Sequence, residues 1–138
     1  MGEGNGIIDG DGHGGYDLVY YERELGTTEH VELDWVQVEL SVDLSAWHTV
    51  FYWGDKDPAN TDNTNIAAYG NDDDGEVDNE QIPLADLWPS NTFPVYRTGI
   101  AIDIRGLVPP GYAYRYLRIS CPSGGVDPAE PDGIERLN

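Results

Sequence analysis

The sequence predicts an all-β protein, a two-sheet antiparallel β-sandwich formed by a single domain over residues 1–138. The chain is rich in turn residues, with 17 glycines and nine prolines. Its aromatic residues are mostly tyrosine (nine) and tryptophan (four), which are frequent in strands. Short apolar stretches also alternate with polar residues at a period of two, which indicates strands with one buried face.

The first half of the chain contains three predicted strands. A lead rich in glycine and aspartate, residues 1–15, precedes a strand at 16–24 that is aromatic and β-branched. In the next segment, 30–45, the apolar positions change parity at Trp35–Val36. A bulge or a break is predicted there, because a regular strand keeps its apolar residues on one face. The third strand, 46–54, is apolar at both parities and is predicted to be central in the sandwich.

The second half follows a long acidic loop at residues 54–81. One helical turn is predicted at 82–88, with Pro83 near its start. Strands are predicted at 98–106, 112–121 and 132–137. The side chains expected to face the core from the first two of these strands are Ile100, Ile102, Ile104, Leu117, Ile119 and Cys121.

The charge of the chain excludes two classes of partner. There are 26 acidic residues against seven basic ones, which gives a net charge of −19. Such a protein is repelled by nucleic acid and by anionic membrane surfaces. No apolar stretch reaches the ~18 residues of a membrane span, so membrane insertion is not expected either.

The loop at 54–81 contains nine carboxylates and five asparagines, which are oxygen ligands of the kind that calcium prefers. The lead segment adds further carboxylates, but Tyr20 stands where a complete calcium loop has glutamate. Calcium is therefore the predicted cofactor, while a merely solvated acidic loop and adaptation to high salt are the alternatives. The candidate metal ligands are Asp9, Asp11, Asp55, Asp57, Asp62, Asp72, Asp74 and Asp78.

Aromatic residues near loops are candidates for a carbohydrate site, because sugar rings stack on aromatic side chains. The candidates are Trp53, Tyr69, Trp88 and Arg97, and the alternative is that the rings lie in the core. The sequence contains neither a Gly-x-Ser-x-Gly motif nor a Cys–His signature, so the chain is not expected to be an enzyme.

Several segments, in order, resemble an uncharacterised domain of secreted bacterial cell-surface proteins. They read "YDLVYYE", "LDWVQVELSVD", "TVFYWGD", "NTN", "IPLADL", "TGIAIDI" and "YRYLRI". That domain is similar to galactose-binding-like jelly rolls, the architecture of discoidin domains and many carbohydrate-binding modules. The resemblance implies a jelly roll, an extracellular or cell-surface location, and a role for Glu135 as a calcium ligand beside the N-terminal lead.

Two departures from that pattern stand out. Asp43-Leu44 occupies the turn where relatives usually carry Asp-Gly, and the first strand or strands of the domain are missing. A sandwich without an edge strand exposes unpaired backbone groups. The gap could be filled by the parent protein, by residues 4–9 folding back, or by a strand from a neighbouring copy, which would give a homo-oligomer or filament.

The sequence thus predicts a non-catalytic extracellular structural or surface module, stabilised by calcium and self-assembling through its N-terminal segment. The alternative is a carbohydrate-binding module, with a polysaccharide partner, from a larger secreted enzyme or adhesin.

Overall fold

A computed structural model describes residues 6–8, 15–23, 29–54, 62–69, 80–90, 97–121 and 131–137. These residues form strands and two 3₁₀ turns, at Ala67–Tyr69 and Leu84–Asp86, and include no α-helix. The strands are β1 (Ile7–Ile8), β2 (Leu18–Glu22), β3 (His30–Leu33), β4 (Val36–Ser41), β5 (His48–Trp53), β6 (Glu80–Pro83), β7 (Trp88–Pro89), β8 (Arg97–Ile102), β9 (Ala113–Tyr114), β10 (Tyr116–Ser120) and β11 (Pro131–Arg136).

The strands pair in antiparallel sheets, which confirms the predicted all-β sandwich class. One sheet has the order β10-β4-β5 and the other has the order β11-β2-β8-β7, while β3 pairs with β6 and β1 pairs with β9. The inward side chains of both larger sheets and of the β3–β6 pair lie in one hydrophobic core. This core includes Tyr20, Val38, Phe51 and Ile100, all at most 1% exposed.

The predicted change of parity at Trp35–Val36 is confirmed as a break between two sheets. Strand β3 pairs with β6, whereas β4 pairs with β5 and β10. Leu33 and Val36 can therefore both be fully buried although they lie on opposite parities of the sequence. Trp35, between them, is half-buried, and its indole N–H has no acceptor among the described residues.

Strand β5 is apolar at both parities because it contains a bulge. Val38 pairs with Phe51 and Glu39 pairs with Thr49, so Val50 is an inserted residue. Both Val50 and Phe51 are fully buried, as a bulge allows for two successive residues. The prediction that this strand is central is wrong for the described residues, where β5 has one neighbour, β4.

Strand β2 is buried on both faces, because a second apolar cluster covers the outer side of its sheet. Val19, Tyr21 and Ala101 form this cluster, and Tyr16, Trp88 and Leu137 pack against it. Strand β7 approaches β8 closely at Gly99, where a Cβ atom would lie 2.8 Å from the Trp88 carbonyl oxygen. Glycine is therefore required at this position.

The described part of the acidic loop, residues 62–69, is joined to β8 by side-chain amides. Asn65 accepts a hydrogen bond from the Ala101 amide (2.7 Å) and donates to the carbonyl oxygen of Asp86 (2.9 Å). Asn63 donates to the carbonyl oxygens of Val50 (2.8 Å) and Asp103 (2.9 Å). The Asn63 amide thus links a strand of one sheet to the end of a strand in the other.

Other side-chain predictions have mixed outcomes. The helical turn after Pro83 is confirmed as the 3₁₀ turn Leu84–Asp86, and the three isoleucines of the 98–106 segment lie in the core. Leu117 and Ile119 are half-buried against the core. Cys121 is exposed, so its predicted inward position is wrong, because β10 ends at Ser120.

Candidate functional site

Most of the predicted metal ligands lie outside the described residues. These are Asp9, Asp11, Asp55, Asp57, Asp72, Asp74 and Asp78. Of the two that are described, Asp62 is exposed and Glu135 is half-buried on β11. The described residues contain no group of three or more histidine, cysteine, aspartate or glutamate side chains that could hold a metal ion.

Glu135 has a defined partner in the sheet. Its Oε2 atom accepts a hydrogen bond of 2.5 Å from the hydroxyl of Tyr21 on the neighbouring strand β2. Burial, followed by this hydrogen bond and the charge of Glu135, raises the pKa of Tyr21 above its usual value. The pair therefore holds the last strand of the sheet against β2, whether or not Glu135 also contacts an ion.

The residues predicted to bind carbohydrate lie in different environments. Trp53 is fully buried in the core, opposite Val36 on the neighbouring strand, so it cannot belong to an exposed platform. The prediction that Trp53 belongs to a carbohydrate site is therefore corrected. Trp53 is one of the β5 side chains that point into the core. Of the other three residues, Trp88 and Arg97 lie on the paired strands β7 and β8, whereas Tyr69 lies in the 3₁₀ turn Ala67–Tyr69.

Trp88 and Arg97 belong to the edge at β7, but Tyr69 does not share their environment, because it packs against the main core whereas Trp88 packs against the second cluster on the outer side of the sheet. The Tyr69 hydroxyl donates a short hydrogen bond to the Asp86 carboxylate, two residues before β7. Trp88 is half-buried and packs edge-on against Tyr16, with ring centroids 5.5 Å apart. Arg97 is exposed and pairs in register with Pro89. The edge therefore offers one partly exposed indole and one exposed guanidinium.

The N-terminal segment forms a short strand on the edge of β9. Ile7 pairs with Tyr114 and Ile8 pairs with Ala113. Gly6 is buried, and a Cβ atom there would lie 2.8 Å from the Tyr114 carbonyl oxygen. The carbonyl oxygen of Gly6 also accepts a hydrogen bond from the Arg136 guanidinium (3.3 Å). The N-terminal segment therefore lies in a narrow slot that backbone atoms largely define.

A cleft of about 370 Å³ lies where the β4–β5 hairpin meets the segment before β10. Its apolar wall contains Val42, Ala46 and Pro109. The remaining lining residues have rings or charge: Asp43, His48, Tyr112 and Tyr114. The two segments meet because Ser41 pairs with Tyr116 and accepts a hydrogen bond from the Arg115 amide (3.1 Å).

The polar groups of this cleft are held in place by local hydrogen bonds. The Asp43 carboxylate accepts bonds from the amide (2.9 Å) and the hydroxyl (2.7 Å) of Ser45, and these lower the pKa of Asp43. The Tyr114 hydroxyl donates to the Pro109 carbonyl oxygen (2.6 Å). His48 packs edge-on against Tyr114, with centroids 6.0 Å apart.

Sequence reasoning did not identify this cleft as a site. The turn at Asp43-Leu44 was recognisable in the sequence, but no local pattern places it beside the segment at 109–114. Their proximity depends on the pairing of β4 with β10, whose residues are far apart in sequence. The exposure of Tyr112 (54%) next to buried Tyr114 is likewise a property of the folded chain.

Comparisons with known proteins identify no relative: the chain matches no family model, no characterised protein and no solved structure. Within the described part of the chain, no helix has the length and apolar character needed to cross a bilayer.

Proposed function

We propose that the chain is a non-catalytic extracellular module, a structural subunit of a surface or matrix. In this proposal calcium bound by the acidic segments stabilises a jelly-roll fold, and the N-terminal segment joins neighbouring copies into an oligomer or filament. The single observation that supports it most directly is the placement of residues 6–8 in the slot beside β9.

That slot suits a strand supplied by either copy. The pairing of β1 with β9 and most of the contacts around Gly6 are made by backbone atoms, which are the same whichever copy supplies the strand. A strand of two residues adds little stability by itself, so exchange between copies costs little. Repeated head-to-tail exchange does not close on itself and produces a filament.

Light scattering at increasing protein concentration tests the assembly. Species of higher mass are expected for the wild-type chain, whereas deletion of residues 2–8 is expected to leave monomers. Gly6→Ala should also prevent assembly, because its Cβ atom would overlap backbone atoms of β9. Gly133→Ala is the matched control, since a Cβ atom at Gly133 has no neighbour within 4 Å.

A synthetic peptide of residues 2–8 separates this proposal from a purely intramolecular role of the strand. Binding of the peptide to the deleted chain would show that the slot accepts a strand from another molecule. A wild-type chain that stays monomeric at every concentration, together with no peptide binding, would contradict the assembly proposal.

A carbohydrate-binding module is the second candidate, and the arrangement at the β7 edge supports it. Trp88 offers a partly exposed ring face, and the exposed Arg97 lies across from Pro89 on the neighbouring strand. Retardation of the chain in gels that contain a polysaccharide tests this candidate. Arg97→Ala should abolish the retardation, while Arg115→Ala, which removes an exposed arginine elsewhere, should not. Equal effects of both changes would indicate non-specific charge attraction.

A further inference from the structure

We propose that the cleft between the β4–β5 hairpin and the segment before β10 binds an arginine side chain of a protein or peptide partner. The cleft combines an exposed tyrosine ring, an exposed carboxylate and an apolar wall. It lies away from the β7 edge and shares Tyr114 with the strand slot, but the inference rests on neither of the proposals above.

The aromatic part of the cleft suits a flat cation. Tyr112 lines the cleft and is 54% exposed, so its side chain is accessible to a ligand there. Guanidinium groups stack on such rings, because the negative face of the π system attracts the cation. Val42, Ala46 and Pro109 can then pack against the methylene groups of the same side chain.

The charge of the cleft favours a cation as well. Asp43 is a carboxylate at neutral pH, and the hydrogen bonds from Ser45 hold it in place at the rim. The neighbouring basic residues do not line the cleft: Arg115 is exposed, and Arg118 is paired with Glu39 at 2.7 Å. At longer range, the net charge of −19 attracts cations and repels anions.

The same features disfavour a neutral sugar at this place. A sugar needs several donors and acceptors, since each buried hydroxyl without a partner costs free energy. Here the Tyr114 hydroxyl is already bonded to the Pro109 carbonyl oxygen, which leaves Asp43, His48 and the Tyr112 hydroxyl as the other polar side-chain groups of the lining. One charged group beside a ring is better matched to one guanidinium.

The hairpin that carries Asp43 also has an unusual backbone. Leu44 has a positive φ of 71° and is 56% exposed beside the cleft. Such conformations persist where the surrounding structure holds them, and they are frequent at binding sites. The turn therefore presents the Asp43 carboxylate in a fixed position.

A titration followed by ¹⁵N–¹H NMR tests the proposal, with Nα-acetyl-arginine amide as the probe. Saturable shifts of the Asp43, Ala46 and Tyr112 amides are expected, with a dissociation constant on the order of 1 mM for a ligand of this size. Nα-acetyl-leucine amide, which has no charge, should bind at least about fivefold more weakly. Binding of the arginine probe should also weaken as the salt concentration rises.

Two variants and one control locate the interaction. Asp43→Asn keeps an oxygen for Ser45, and Tyr112→Ala alters an exposed side chain, so both chains should fold; each should weaken binding about fivefold. Asp62→Asn removes one exposed charge outside the cleft and should change binding less than twofold. Equal effects of Asp43→Asn and Asp62→Asn would overturn the proposal, as would equal binding of the leucine probe, tighter binding of a neutral sugar at the same amides, or no saturable shift.

Discussion

At the scale of single residues, Leu44 is the one described residue other than glycine that has a positive φ. Its φ of 71° lies in the left-handed region, which costs an L-residue with a Cβ atom about 1–2 kcal/mol. The Ser41 hydroxyl stabilises the turn by accepting a hydrogen bond from the Leu44 amide (2.9 Å). In the sequence this turn was unusual because relatives usually have glycine after Asp43. The positive φ of Leu44 is the backbone conformation that glycine adopts most easily.

Replacing Leu44 with glycine is expected to stabilise the protein. The left-handed conformation costs glycine almost nothing, but glycine loses more entropy on folding, so a net gain of about 0.5–1 kcal/mol is expected. The midpoint of urea unfolding measures this gain. Leu44→Ala retains the Cβ atom and is the matched control, for which no gain is expected. Equal stability of the two variants would mean that the turn is not strained at this position.

The bond between Tyr21 and Glu135 predicts a dependence of stability on alkaline pH. Because the folded-state pKa of Tyr21 is raised above the unfolded value of about 10, its stabilising contribution is complete below pH 10 and is lost as pH rises above it. Tyr21→Phe should therefore be less stable than wild type at pH 7, and the difference should shrink above pH 10. Urea unfolding at pH 7, 10 and 11 measures it, and a difference that stays constant across this range would contradict the assignment.

At the scale of elements, the sequence predicted most strands because local apolar alternation is set by the burial of one face. The sequence also predicted the break at Trp35–Val36, because apolar residues at odd and at even positions cannot lie on the same face of one regular strand. It could not identify the bulge at Val50, because a bulge is defined by pairing with a distant strand. The exposure of Cys121 was missed for a related reason: periodicity does not show where β10 ends.

The candidate sites were less predictable than the strands. Acidic clusters can be found in a sequence, but ligand geometry cannot, and seven of the nine candidate metal ligands lie outside the described residues. Trp53 looked like a loop aromatic because it precedes the acidic loop, yet its strand parity buries it. The cleft at Asp43 and Tyr112 depends on pairing between distant strands, which no local pattern reveals.

Asn65 provides the clearest test at the scale of elements. Its side chain accepts from the Ala101 amide and donates to the carbonyl oxygens of Asp86 and, at 3.3 Å, Gly99. Asn65→Ala should destabilise the protein by about 2 kcal/mol, because these backbone groups lose their partner. Gln81→Ala truncates an exposed amide on β6 and should cost less than about 0.5 kcal/mol. Similar unfolding midpoints for the two variants would show that the Asn65 amide does not join residues 62–69 to β8.

At the scale of the whole molecule, the net charge of −19 has to be balanced by cations from solution. Bound calcium and a high concentration of salt are the two agents that the sequence suggests. They predict different behaviour, because a bound ion saturates its site at low concentration, whereas screening continues to increase up to molar salt. The proposed function as an extracellular module depends on bound calcium.

We expect calcium at fixed ionic strength to raise the Tm and a chelator to lower it. Binding to the folded state alone stabilises by about 2.7 kcal/mol when free calcium is 100 times Kd, which corresponds to a Tm rise on the order of 10 °C for a domain of this size. Asp72→Asn with Asp74→Asn should reduce this rise, because both residues belong to the predicted acidic cluster. Glu29→Gln with Asp132→Asn removes the same charge from exposed positions and should leave the rise intact. A Tm that ignores calcium and chelator but climbs with molar KCl would instead identify the acidity as an adaptation to salt, and calcium would have to be removed from the proposed function.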